Sequence, residues 1–168
     1  MATDAKIQDI ALHYIRQFIA GGTIKSPSTT FGLLHPSLLD LLPLQNGELP
    51  LISGFFSSDS WYAFTTRRVV SRFQGKNYSI NPSQGVHEDF GNFKGYGPTA
   101  GEPEMKPGVV PREVATITAL QSSEFVRFEF ETWEASMLPI YAARYWNVKH
   151  RVIDKLMTSS ERESDRTK

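Results

Sequence analysis

Residues 61–73, Trp-Tyr-Ala-Phe-Thr-Thr-Arg-Arg-Val-Val-Ser-Arg-Phe, constrain what this chain can fold into more than any other stretch. Tyr62 and Phe64 alternate with Ala63 on one side of a polar tetrad, and Val69, Val70 and Phe73 follow on the other. Aromatic and β-branched residues at this density suit a pleated, half-buried surface. The stretch therefore reads as two strands meeting at a tight, charged turn. It points to an architecture and names no chemistry.

Further strands follow the same logic. Leu51–Phe56 and Lys76–Ile80 read as strands, and Val86–Lys94 as a third with poor alternation. Val114–Leu120 and Phe125–Glu131 form a hairpin across Gln121–Glu124. In its second arm Val126, Phe128 and Phe130 face one way, while Arg127, Glu129 and Glu131 face the other, an ordinary outer face.

Helical spacing appears at both ends. Ile7, Ile10, Ala11, Tyr14, Ile15 and Phe18 make one apolar face over residues 4–20, capped by Thr3 or Asp4 and stopped by Gly21-Gly22. Residues 23–32 read as turn-forming, and Ser37–Leu42 as a short helical segment opened by Pro36. Ser136–Met157 reads as a long helix with Ser136 at its N-cap. Its apolar stripe is Leu138, Tyr141, Ala142, Tyr145, Val148, Val152 and Leu156. Residues 95–112 are broken by glycine and proline into an irregular loop, a surface insertion or a functional segment. Residues 158–168 carry no apolar side chain and are expected to be disordered.

With 168 residues and 40% hydrophobic content, the chain can bury a core without staples. Eighteen basic and 18 acidic residues cancel, which argues against whole-molecule attraction to nucleic acid or anionic lipid. The absence of cysteine excludes disulfides, thiolate metal sites and thiol catalysis, and fits a reducing compartment. Neither a signal-peptide pattern nor an apolar run of about 18 residues is present, so the expectation is a cytoplasmic protein with no integral membrane segment.

The segment Trp-Tyr-Ala-Phe-Thr-Thr-Arg-Arg-Val-Val (61–70) resembles a hairpin of bacterial pleckstrin-homology-like (PH-like) domains. Phe128-Glu129-Phe130 followed by the helix from Ser136 resembles the last strand and capping helix of that fold. The resemblance covers residues 48–157. It implies an α+β fold: a partly open antiparallel β-barrel of two sheets, one end plugged by the long C-terminal helix. It also implies a binding scaffold more than an enzyme. Residues 1–47 form an N-terminal helical segment outside the resemblance, expected to pack on the domain as a docking surface or second layer, and 158–168 form a tail.

Three functional readings follow. The first is a non-enzymatic interaction module for a protein partner, in one version an immunity-type protein neutralising a toxin. Its candidate contacts are Phe93 and Tyr96, leading into the irregular loop, and Trp146, off the stripe of the last helix. The second is a phosphate- or lipid-head-group-binding module using Arg67, Arg68, Arg72 and Lys76, whose forked or point donors suit anions. Against it stands a solvated turn, with an arginine stem packed over Trp61 or Tyr62. The third is a hydrolase centred on His87 and Glu88, since a histidine beside carboxylates can do acid–base work. Strand neighbours point to opposite faces, which opposes it. No zinc spacing, phosphate loop or nucleophile elbow is present, so no cofactor or metal is expected.

Overall fold

The aromatic hairpin is the centre of a five-stranded antiparallel sheet. This computed structural model describes residues 2–19, 21, 24, 26–94 and 110–153. The sheet runs in order β1 (Thr29–Phe31), β2 (Pro50–Ser57), β3 (Ser60–Thr65), β4 (Val69–Phe73) and β5 (Lys76–Ile80). Trp61 pairs with Arg72 and Phe64 with Val69 across β3 and β4. Strand alternation then sends Tyr62, Phe64, Ile52 and Val69 into the main core, and Trp61, Ala63 and Val70 to the other face. All six residues of β3 are buried, because both of its faces are covered.

A second, three-stranded antiparallel sheet has the order β6 (Val86–Asp89), β7 (Arg112–Ala119) and β8 (Phe125–Glu131). Val126, Phe128 and Phe130 face the core as their alternation dictates. Tyr62 meets Phe128 at 4.6 Å between ring centroids, and Phe90 meets Phe130 edge-on at 5.4 Å. The Ser71 hydroxyl donates to the Arg127 carbonyl at 2.7 Å, tying β4 to β8. Among the described residues the two sheets stay separate ladders, so the architecture is α+β with two antiparallel sheets and no closed barrel.

Helix α1 (Asp4–Arg16) is capped by Thr3, whose hydroxyl accepts from the Lys6 N–H at 3.3 Å. Its Ile7, Ala11, Tyr14 and Ile15 join the same core as the sheets. The helix ends at Arg16, short of the expected residue 20. Phe18 beyond it stacks on Tyr141 at 3.7 Å.

Several expectations are corrected. Thr29–Phe31, within the segment read as turns, forms β1 by pairing with Ile52–Gly54. Three residues held by a distant partner leave no periodicity to read. The helix expected over Ser37–Leu42 is a single 3-10 turn at Pro36–Leu38, with His35 Nδ1 accepting from the Ser37 N–H. The third strand stops at Asp89, and Gly91 follows at φ +50°. Val86–Lys94 is therefore half strand.

The last helix departs most. It opens as a 3-10 turn (Trp133–Ser136), and Ser136 makes no cap: its hydroxyl donates back to the Trp133 carbonyl at 2.5 Å. It continues as α2 (Met137–Tyr145) and widens into a π turn (Trp146–His150). The wider turn rotates the buried face. Trp146 is 1% exposed and its ring lies 4.3 Å from that of His150, while Val148 and Val152 stand half exposed. The surface position expected for Trp146 is thus overturned. Leu156, Tyr96 and residues 158–168 lie outside the described residues.

Candidate functional site

The basic hairpin is occupied from within. Arg67, at the β3–β4 turn, donates to Asp4 of α1 through Nε at 3.1 and 3.2 Å and through Nη2 at 2.8 Å. The Thr66 hydroxyl donates to the same carboxylate. Arg68 grips Glu48 through Nε and Nη2 and reaches the Pro43 carbonyl at 3.1 Å. Glu48 also accepts from the Thr65 hydroxyl at 2.6 Å and the Gln45 N–H at 2.8 Å.

These contacts set the titration of both acids. The Arg67 hydrogen bond holds Asp4 below its ordinary value. Burial pushes Glu48 up, but the hydrogen bonds from Arg68, Thr65 and Gln45 outweigh it, and the net direction is down. Arg72 pairs with Asp59 at 3.4 Å, and the Lys76 ammonium lies 5.3 Å from the Tyr78 ring centre. The four cations do not converge. Arg72 lies on β4 four residues beyond Arg68, four strand steps that span roughly 13 Å, and Lys76 opens β5 beyond the next turn. A phosphate at the turn would have to displace Asp4 or Glu48.

Beside this turn opens a cavity of about 730 Å³ lined by Asp4, Thr66, Arg67, Asn81, Trp146 and His150 among others. The Trp146 indole N–H has no acceptor. The structure therefore brings Arg67, Arg68 and Trp146 to one place, with the tryptophan as a wall and not as a surface anchor.

His87 and Glu88 point apart, as alternation requires. His87 is exposed, while Glu88 faces a groove of about 280 Å³ shared with Phe90, Phe93, Met137, Tyr141 and Arg144. The acid–base pair expected of the hydrolase reading is not assembled. Burial raises the Glu88 carboxyl above its ordinary value, against the opposing pull of Arg144. Among the described residues no group of three His, Asp or Glu is placed to hold a metal ion. Glu131, expected on an ordinary outer face, is buried and accepts from Ser26 and from Thr29 at 3.0 Å, anchoring the chain ahead of β2. The Ser60 hydroxyl donates to Glu129.

The feature missed from the sequence lies on the outer face of the five-stranded sheet. Leu38 and Leu42 cover Trp61, Ala63 and Val70 there, with Leu34 and Phe55 at the margin. The same segment turns Leu33, Leu39 and Leu41 to solvent at 68%, 64% and 45% exposure. Beside it runs a groove of about 330 Å³ lined by Leu41, Leu42, Trp61, Val70 and Arg72 among others. The Trp61 indole N–H and the Arg72 Nε–H are buried there without acceptors. A signal was present: Leu33, Leu34, Leu38, Leu39, Leu41, Leu42 and Leu44 put seven leucines in twelve residues, more than one buried face can hold.

Comparison with protein-family models, with curated proteins and with solved structures finds no match to this chain. No helix among the described residues is long and apolar enough to cross a membrane.

Proposed function

We propose that this chain is a non-enzymatic interaction module on a PH-like scaffold and that it binds a protein partner through the outer face of its five-stranded sheet. The observation that carries this reading is the leucine segment, with Leu38 and Leu42 inward and Leu33, Leu39 and Leu41 outward beside the Trp61–Arg72 groove. Single exposed leucines are ordinary, but three on one short segment bordering an apolar groove mark an interaction site. Tryptophan and arginine are the residues that most often dominate interface energetics. An immunity-type protein covering a toxin is one pairing of this kind. Two antiparallel sheets closed by a C-terminal helix support the PH-like reading, and the 61–70 hairpin motif supports it independently.

Affinity purification of the tagged protein from its source cells tests this, run beside the double variant L39D/L41D. The expected result is a stoichiometric protein retained by the wild type and lost by the variant, with both proteins folded by circular dichroism. Retention of the same protein by both would overturn the assignment of this face. Retention of lipid or phosphate alone would overturn the protein-binding reading.

A further inference from the structure

A strand edge stands open beside the apolar groove. Among the described residues the other sheet edges are short or occupied. β1 is three residues long. On β6 the Asn147 amide takes both main-chain groups of Val86, accepting from its N–H at 2.8 Å and donating to its carbonyl at 2.9 Å. The free edge of β8 faces β4, where the Arg127 carbonyl accepts from the Ser71 hydroxyl. β5 is different. Gln74 and Gly75, at φ +50° and +75°, form the two-residue turn that joins it to β4, and such a turn makes Phe73 and Lys76 a hydrogen-bonded pair. Alternation then bonds Tyr78 to Ser71 and Ile80 to Val69, and turns the N–H and C=O of Asn77 and Ser79 outward. Both residues are exposed, and among the described residues these outward groups meet no hydrogen-bond partner.

We propose that an extended segment of a partner protein, with apolar side chains at alternate positions, adds to β5 as a further antiparallel strand. This rests on the protein-binding reading above and gives it a mode. In strand addition the main-chain pairing supplies affinity, and pockets for alternate side chains supply selectivity. Here the pocket is the groove of about 330 Å³, walled by Leu41, Leu42, Trp61 and Val70 and reached past Asn77 and Ser79. Those two residues share a face with Arg72 and Val70, their partners on β4. Residues of the added strand opposite Asn77 and Ser79 fall on that face too, so their side chains border the groove. Lys76 projects to the opposite face, is exposed, and favours an acidic residue at the end of the added strand. A second copy of this chain fits less well, because its β5 brings Asn77 and Ser79 to the groove and no apolar side chain. Nor does the rest of this chain supply the pattern: Pro98, Pro103 and Pro107 interrupt residues 95–109, and 158–168 have no apolar side chain.

The test uses the full chain and the peptide acetyl-Glu-Ile-Thr-Ile-Thr-Ile-Glu-amide, followed by two-dimensional NMR and amide hydrogen exchange. Saturable binding should slow exchange of the Asn77 and Ser79 N–H groups about tenfold or more, while that of Tyr78, already bonded to β4, changes little. N-methylation of the three isoleucines removes the donors that face β5 and should abolish binding. N-methylation of the two threonines, whose N–H groups point away, should leave affinity within about threefold. N77P and S79P each delete an outward donor that β4 does not use, and each should weaken binding about tenfold with the fold intact by circular dichroism. The methylated peptides ask the same question of the unaltered chain. Equal affinity of the three peptides would overturn the proposal, as would undiminished binding by both variants or no saturable binding. Dimerisation of the free chain that N77P and S79P abolish would overturn it in favour of a second copy. A cellular partner lost by L39D/L41D yet retained by N77P and S79P would remove the edge and leave the apolar face as the binding site.

Discussion

Arg68 holds Glu48 by two parallel hydrogen bonds, Nε to Oε1 at 2.8 Å and Nη2 to Oε2 at 3.0 Å, and the glutamate side chain is 0% exposed. The pair joins the β3–β4 turn to the loop ahead of β2, and Arg67 with Asp4 joins the same turn to α1. The hairpin charges therefore fasten the N-terminal segment to the sheet. Removing one partner of such a pair strands the other: E48A is expected to cost about 3 kcal/mol in urea denaturation. The double variant E48A/R68A should lose less than the sum of its two single variants. Additive losses would show that the pair does not act as a unit.

The two fasteners also set an acid limb. Asp4 and Glu48 titrate below their unfolded values, so their contribution is fully present above the unfolded carboxylate range and is lost as pH falls through the folded values. Glu88 is raised, and the sign reverses: its contribution is complete below the unfolded value and is lost as pH rises through the folded one. Urea midpoints should fall from pH 5 towards pH 3 in the wild type and fall less in D4N/E48Q. E88Q should show its gain, about 1 kcal/mol or less, only at the neutral end. Parallel profiles for wild type and D4N/E48Q would refute the assignment.

The strands of the five-stranded sheet were legible wherever alternation or an aromatic run was dense, and Trp61–Phe73 and Lys76–Ile80 lie where the residues place them. What could not be read depends on distant partners. Thr29–Phe31 is a strand only because Ile52–Gly54 offers an edge. Arg67 and Arg68 read as free cations because Asp4 and Glu48 lie 63 and 20 residues away along the chain. Phe93 and Glu88 belonged to different hypotheses, and the bend at Gly91 brings them to one groove. The leucine segment 33–44 was readable as a surplus of apolar residues, a stronger sign than the lone aromatics chosen as contacts.

Gly54 tests the packing of the aromatic hairpin. It faces Tyr62 across β2 and β3, and a Cβ at this position would sit 2.3 Å from Tyr62 Cε1 and 2.7 Å from Cζ. Tyr62 is fully buried against Phe64 and Phe128, so the ring has no room to withdraw. G54A is expected to destabilise by about 2–3 kcal/mol despite adding a single methyl. A loss under 0.5 kcal/mol would mean that the ring relaxes freely.

The π turn gives the sharpest contrast between periodicity and structure. A regular helix through Ser136–Met157 keeps Val148 and Val152 on the apolar stripe and leaves Trp146 outside it. The observed turn puts Trp146 and His150 inside, ring to ring, and sends both valines to solvent at 50% and 53% exposure. W146A should therefore cost about 3–5 kcal/mol, as truncation of a buried aromatic does. V148E and V152E should each stay within about 0.5 kcal/mol of wild type. Thermal or urea unfolding of the three variants ranks them directly. Loss of stability in the valine variants with little effect of W146A would restore the regular helix and remove Trp146 from the wall of the cavity beside Arg67.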